Sequence, residues 1–151
     1  MPLLFVVTLD KGITIACEPR LDQGHSCSPE STLLGRRVNK VHEALMEEHL
    51  GIVSDVDVQA IFKNKMGKAI PAYHIFGACN PKLADRVLNS EPNAGALLPC
   101  NFIIRETNDG KVVVSFMDPE SVLGLCITEA PKQVGAEAKE KLLRVVEKLR
   151  T

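Results

Sequence analysis

The sequence predicts an α+β domain in which helices lie on a sheet, and three stretches carry that prediction. Residues 100–107 and 111–116 read as two strands joined at Asn108-Asp109-Gly110, where Gly110 is free to take the left-handed conformation that a tight hairpin needs. Two segments place apolar residues at helical spacing: Leu34, Val38, Val41 and Leu45 in one, Val134, Ala138, Leu142, Val145 and Leu149 in the other. Each has one face to bury, and a sheet is the natural partner. The third stretch, HIFGACNPKLADRVLN at 74–89, holds a strand, a glycine break, a cysteine and a helix start. In it Asn80 suits the N-cap, because its side chain satisfies an orphan amide, and Pro81 suits the first helical position, because it has no amide to leave orphaned.

Size and charge narrow the classes of function. A chain of 151 residues fits one domain spanning 1–151, since single cores typically serve about 100 to 150 residues. Its hydrophobic share of 45% and charged share of 25% are those of an ordinary globular protein. A net charge of -1 provides no basic field for a nucleic-acid backbone, and one tyrosine with no tryptophan leaves little for bases to stack on. Nucleic acid is not an expected partner. No apolar run approaches the ~20 residues needed to cross a bilayer, so no membrane association is expected either. MPLLFVVTLD lacks the charged and cleavage regions of a signal peptide, and five cysteines without paired spacing suit reduced thiols. A cytoplasmic location follows as an expectation.

Taken in order, residues 3–9 form the first strand, and Asp10, Lys11 and Gly12 form a turn. Residues 13–17 allow a short second strand, and 18–28 read as loop. Cys17, His25 and Cys27 fall short of a zinc site, which needs four ligands in recognisable spacing. The first helix opens near Pro29 or Thr32 and carries His42 and His49 as solvated or capping residues. Residues 52–58 form a strand with Val56 and Val58 on one face and a wet pair, Asp55 and Asp57, on the other. Residues 59–66 make a short helix with Ile61 and Phe62 inward and Gly67 closing it, leaving Lys63, Lys65 and Lys68 as outer charge. After a strand at 72–76, the helix from Pro81 turns Leu83, Ala84, Val87 and Leu88 inward and stops at Ser90-Glu91-Pro92, and 93–99 is a linker. Asp118 and Pro119 repeat the cap-and-proline logic of Asn80 and Pro81, and the last helix covers 133–150.

Four motifs resemble a known family. GACNP at 77–81, LLPCN at 97–101, VVVSFMDP at 112–119 and EALMEEHLGIVSDVDVQ at 43–59 are similar to the bacterial and archaeal "domain of unknown function 302" family, over about 34–149. The resemblance implies a compact α+β domain likened to the TATA-binding-protein fold: a curved antiparallel sheet with helices mainly on one face. It also implies a homodimer, and it brings no established activity, cofactor or substrate. Two departures stand out, an insertion at 10–31 between the first strand and the first helix, and His49 where a glycine is common.

Three functions fit these residues. The first is a binding module whose cleft near the motifs takes a small ligand, an anion among the options, or a partner segment. The second is thiol chemistry using Cys79 with Cys100, since a helix N-terminus can lower a thiol pKa. The third is soft-metal binding, copper or zinc, by Cys79, Cys100, His74 and Met117. The candidate site is Gly77, Cys79, Asn80, Cys100, Asn101, Met117, Asp118 and His74. It assigns no resident metal and names no cofactor. Alternating strand directions are expected to gather Cys79, Cys100 and the Met117-Asp118 pair at one end of the sheet, with the helix starts at Pro81 and Pro119 opening toward the same spot. No embedded nucleophile motif and no glycine-rich phosphate loop is present, so enzyme status stays open.

Overall fold

The structure, a computed structural model, describes residues 4–9 and 33–150. The possible strand at 13–17, the insertion at 10–31, the helix opening at 28–32, and Cys17, His25 and Cys27 lie outside the described residues. Five strands, β1 (Leu4–Leu9), β2 (Gly51–Asp57), β3 (Tyr73–Cys79), β4 (Cys100–Glu106) and β5 (Val112–Met117), form one antiparallel sheet. Their order is β1-β5-β4-β3-β2. The helices are α1 (Leu33–Glu47), α2 (Val58–Met66), α3 (Pro81–Ser90), α4 (Pro119–Leu123) and α5 (Glu129–Arg150). The α+β expectation holds.

Strand alternation divides the sheet into two faces. Register pairs Phe76 with Phe102 and Phe102 with Phe116, and the three rings stack in a row with centroids 5.1 and 5.3 Å apart. Ile104, Val112 and Val114 share this face, and Val41, Leu45, Leu142, Val145 and Leu149 of α1 and α5 close over it. Of the α1 stripe read from the sequence, Val41 and Leu45 are therefore buried and Leu34 and Val38 partly buried. A second core lies beyond the sheet, where Leu83 and Val87 of α3, Leu123 of α4, and Val134 and Ala138 of α5 meet. So α5 serves both cores, one with each half. Ion pairs from Arg144 to Glu48 (2.9 Å) and from Lys148 to Glu47 (2.6 Å) tie it to the end of α1.

Several elements end by local chemistry. Gly67 at φ 62° closes α2, and Gly110 at φ 78° turns the hairpin, positions where a side chain would be strained. His49, at φ 59°, takes the same left-handed state without being glycine. The Leu50 amide still reaches the Leu45 carbonyl at 2.9 Å, so α1 is closed by the usual motif, with the strain carried at His49.

Other elements depart from expectation. Asp57 is more than part of a wet face: it ends β2 and accepts from the Ala60 amide at 2.9 Å as the cap of α2. Val58 belongs to the helix, not the strand. Ile61 and Leu88 are exposed rather than inward, since periodicity chooses a face only where a partner exists to cover it. The linker at 93–99 contains a 3-10 turn, Pro92–Leu97, that buries Ala94.

Candidate functional site

At one end of the sheet the motifs meet. Ala78 is the register partner of Cys100, and Gly77 that of Asn101. A Cβ on Gly77 would overlap the Pro99 ring and Ser54 Oγ. Glycine is thus required for β3, β4 and the Pro99 turn to close up, which joins GACNP to LLPCN by packing. Asn80 accepts from the Lys82 amide at 2.9 Å and the Leu83 amide at 3.3 Å, capping α3. Asp118, 2% exposed, accepts from the Glu120 amide at 3.0 Å and the Ser121 amide at 3.4 Å. It also receives the Ser121 hydroxyl at 3.1 Å and pairs with Lys139 Nζ at 3.1 Å. Both helix starts therefore spend their amides on their own caps.

The thiols are neighbours, and burial raises the pKa of both. Cys79, Cys100 and Cys126 are free among the described residues. Cys79 and Cys100 line a cavity of about 30 Å³ with Leu83, Leu98 and Leu123. That volume holds about one water. Burial raises the Cys79 pKa, and burial with the adjacent Cys79 charge pushes Cys100 up to about 11. A thiolate is thus disfavoured at neutral pH, the reverse of what a helix N-terminus confers on an exposed cysteine.

Two sequence-predicted residues stand apart from the thiols. His74 lies five residues before Cys79 on β3, roughly 16 Å along the strand. It stacks on Phe76 and hydrogen-bonds Asp55 at 2.8 Å. Met117 ends β5 on the face opposite Phe116. Among the described residues no three His, Cys, Asp or Glu side chains gather as a metal would require.

A wider opening lies toward the other end of the sheet, on the face that α1 and α5 leave uncovered. A cleft of about 830 Å³ is lined by Val58 and Phe62 of α2, Ile70 and Pro71 of the connector, and Tyr73, Ile75 and Arg105 of the sheet. Tyr73 and Arg105 are register partners, and alternation from buried Phe76 and Ile104 puts them, with Ile75 and Ile103, on the outer face. The sequence reading did not single out any of these as functional. The available signal was Arg105 itself, a charge that shares its strand face with Ile103 two residues before it.

A five-stranded antiparallel sheet with a helix layer on one face and an apolar cleft on the other defines the class to which this chain belongs, and comparison places it more closely. The family described as Domain of unknown function DUF302 matches residues 31–149, and the chain belongs to that family. It is 28% identical over 83 residues to an uncharacterized protein of Aquifex aeolicus (strain VF5), covering 53% of this chain and 58% of that protein. The chain thus matches a little over half the length of that relative. The crystal structure of an uncharacterized conserved DUF302 protein from Bacillus stearothermophilus is similar with a TM-score of 0.75 over 98% of both chains, at 20% identity. That likeness shows the shared fold. No described helix is long and apolar enough to cross a membrane.

Proposed function

We propose that this protein is a small-ligand binding module that works as a homodimer, with the ligand taken in the cleft between α2 and the β3–β4 face. The observation that carries this reading is the contrast between the two ends of the sheet. A volume of about 830 Å³ at the α2 end falls in the range of small-molecule sites, about 300 to 1,000 Å³. The motif end, with about 30 Å³, has room for little beyond water. On this reading Gly77, Cys79, Asn80, Cys100, Asn101, Met117 and Asp118 brace the fold around the turn of Pro99 and the start of α4. A neutral apolar fluorescent probe, N-phenylnaphthylamine, should bind the protein, and Ile75→Trp, which projects a larger ring into the cleft, should weaken that binding severalfold while the far-UV circular dichroism and melting temperature stay near wild type. Undiminished binding by the folded variant, or none by the wild type, would contradict the cleft.

The dimer rests on the family resemblance and on apolar surface around edge strand β2. Val53 (62% exposed) and Val56 (40%) are exposed on that strand, as are Ile61 (43%) and Met66 (65%) on α2, and an apolar edge of this kind is one that proteins otherwise protect. Light scattering should report twice the 16.5 kDa chain mass. A monomer at micromolar concentration would remove the dimer. Thiol chemistry is favoured by the adjacency of Cys79 and Cys100 alone, and their raised pKa values oppose it.

A further inference from the structure

From the polar groups of the cleft we infer that its ligand is an amphipathic monocarboxylate, an apolar body carrying one carboxylate held by Arg105. The inference rests on the cleft reading above and adds the chemical class. Val58, Phe62, Ile70 and Ile75 give the cleft apolar walls from three chain segments, suited to a hydrocarbon or aromatic body. Arg105 brings a guanidinium to that apolar setting. Among the described residues it pairs with no carboxylate, whereas Lys139, Arg144 and Lys148 of α5 each do. An Arg fork matches the two oxygens of a carboxylate, and a half-buried site strengthens the pair. Tyr73, its register partner, sets a phenol beside it with no hydrogen-bond partner among the described residues.

Acidic groups at the rim narrow the class further. Asp109 lines the hairpin side of the cleft, where it receives the Thr107 hydroxyl and pairs with Lys111 at 3.5 Å. Glu106, the last residue of β4, also lines the cleft next to Arg105. Neither neutralises Arg105 directly. Both would repel a polyanion, so one negative charge suits the cleft and a di- or triphosphate does not.

The test compares two ligands that differ only in charge: dansyl-labelled undecanoic acid and its methyl ester, titrated by fluorescence into the full chain. The acid should bind at least about tenfold more tightly than the ester, the factor expected of one charge-assisted pair. Arg105→Ala should weaken the acid by about ten- to hundredfold, leave the ester unchanged, and keep the wild-type melting temperature. Arg105→Lys should restore part of the acid preference. Equal affinity for acid and ester in the wild type, or equal weakening of both in Arg105→Ala, would overturn the carboxylate inference while leaving the cleft standing. Binding of neither would overturn both.

Discussion

Replacing Gly135 by alanine should destabilise the protein by about 2 kcal/mol, although alanine is the better helix former. Gly135 lies within α5 where α4 crosses it, and an added Cβ would fall 2.7 Å from the Pro119 carbonyl oxygen and 3.0 Å from Glu120 Cα. A third neighbour, Leu123 Cβ, would be 3.2 Å away. These are backbone atoms, or atoms next to backbone, so no side-chain rotation relieves the overlap and α4 must move off α5. Overpacking of this kind costs about 1–3 kcal/mol, against a propensity gain of up to ~1 kcal/mol in the other direction. Moving α4 also disturbs Leu123 in the second core and Asp118 at its cap. Urea unfolding monitored by circular dichroism measures the difference. A neutral or stabilised variant would show that α4 is not seated as described.

Asp118→Ala should cost about 2–3 kcal/mol at pH 7, combining a lost N-cap of ~1 kcal/mol with buried hydrogen bonds left unmade. The carboxylate is buried, serves two amides and a hydroxyl, and faces Lys139. Burial works to raise its pKa, but the hydrogen bonds from Lys139, Ser121 and the Glu120 amide outweigh it and hold the value below the ordinary carboxylate range. Because the folded value lies below the unfolded one of about 3.9, the carboxylate's contribution is fully present above that pH and is lost as pH falls through the folded value. The gap between wild type and Asp118→Ala should therefore be constant near neutrality and shrink below about pH 4. Glu48 is shifted the same way: burial opposes the shift, and Arg144 and Lys148 overcome it. Some acid sensitivity should accordingly remain in the variant. Urea midpoints across pH would contradict this account if the gap stayed constant down to acid.

Features set by neighbours in sequence are legible in the sequence alone. Asn80, Asp118, Gly67 and Gly110 act through groups within a few residues, so cap and turn chemistry found them. The stripes of α1 and α5 were legible because both helices have a sheet to cover. Features that depend on distant partners were not. Glu91, read only as a helix stop, reaches across to accept from the Ile127 and Thr128 amides at 3.1 and 3.2 Å. Ile61 and Leu88 followed the helical period but met no covering layer. Gly135 was a glycine inside a helical pattern, a signal of close approach that needs the crossing helix to be read.

The candidate site shows the same division. GACNP, LLPCN and MDP come together at one end of the sheet because a glycine, a proline and two caps shape its turns, and the sequence made their proximity readable. What the sequence could not show was how little space that end retains. The cleft is assembled from α2, its connector, β3 and β4 with the hairpin, and no single stretch contains enough of it to form a motif.

Amide chemical-shift mapping of the labelled protein with undecanoic acid reads directly where a ligand sits. Shifts are predicted at Val58, Phe62, Tyr73, Ile75 and Arg105, the residues that wall the cleft, with the amides of Cys79, Asn80 and Cys100 unmoved. Shifts centred on Cys79, Asn80 and Cys100, with the α2 end silent, would contradict it and return the binding site to the motifs.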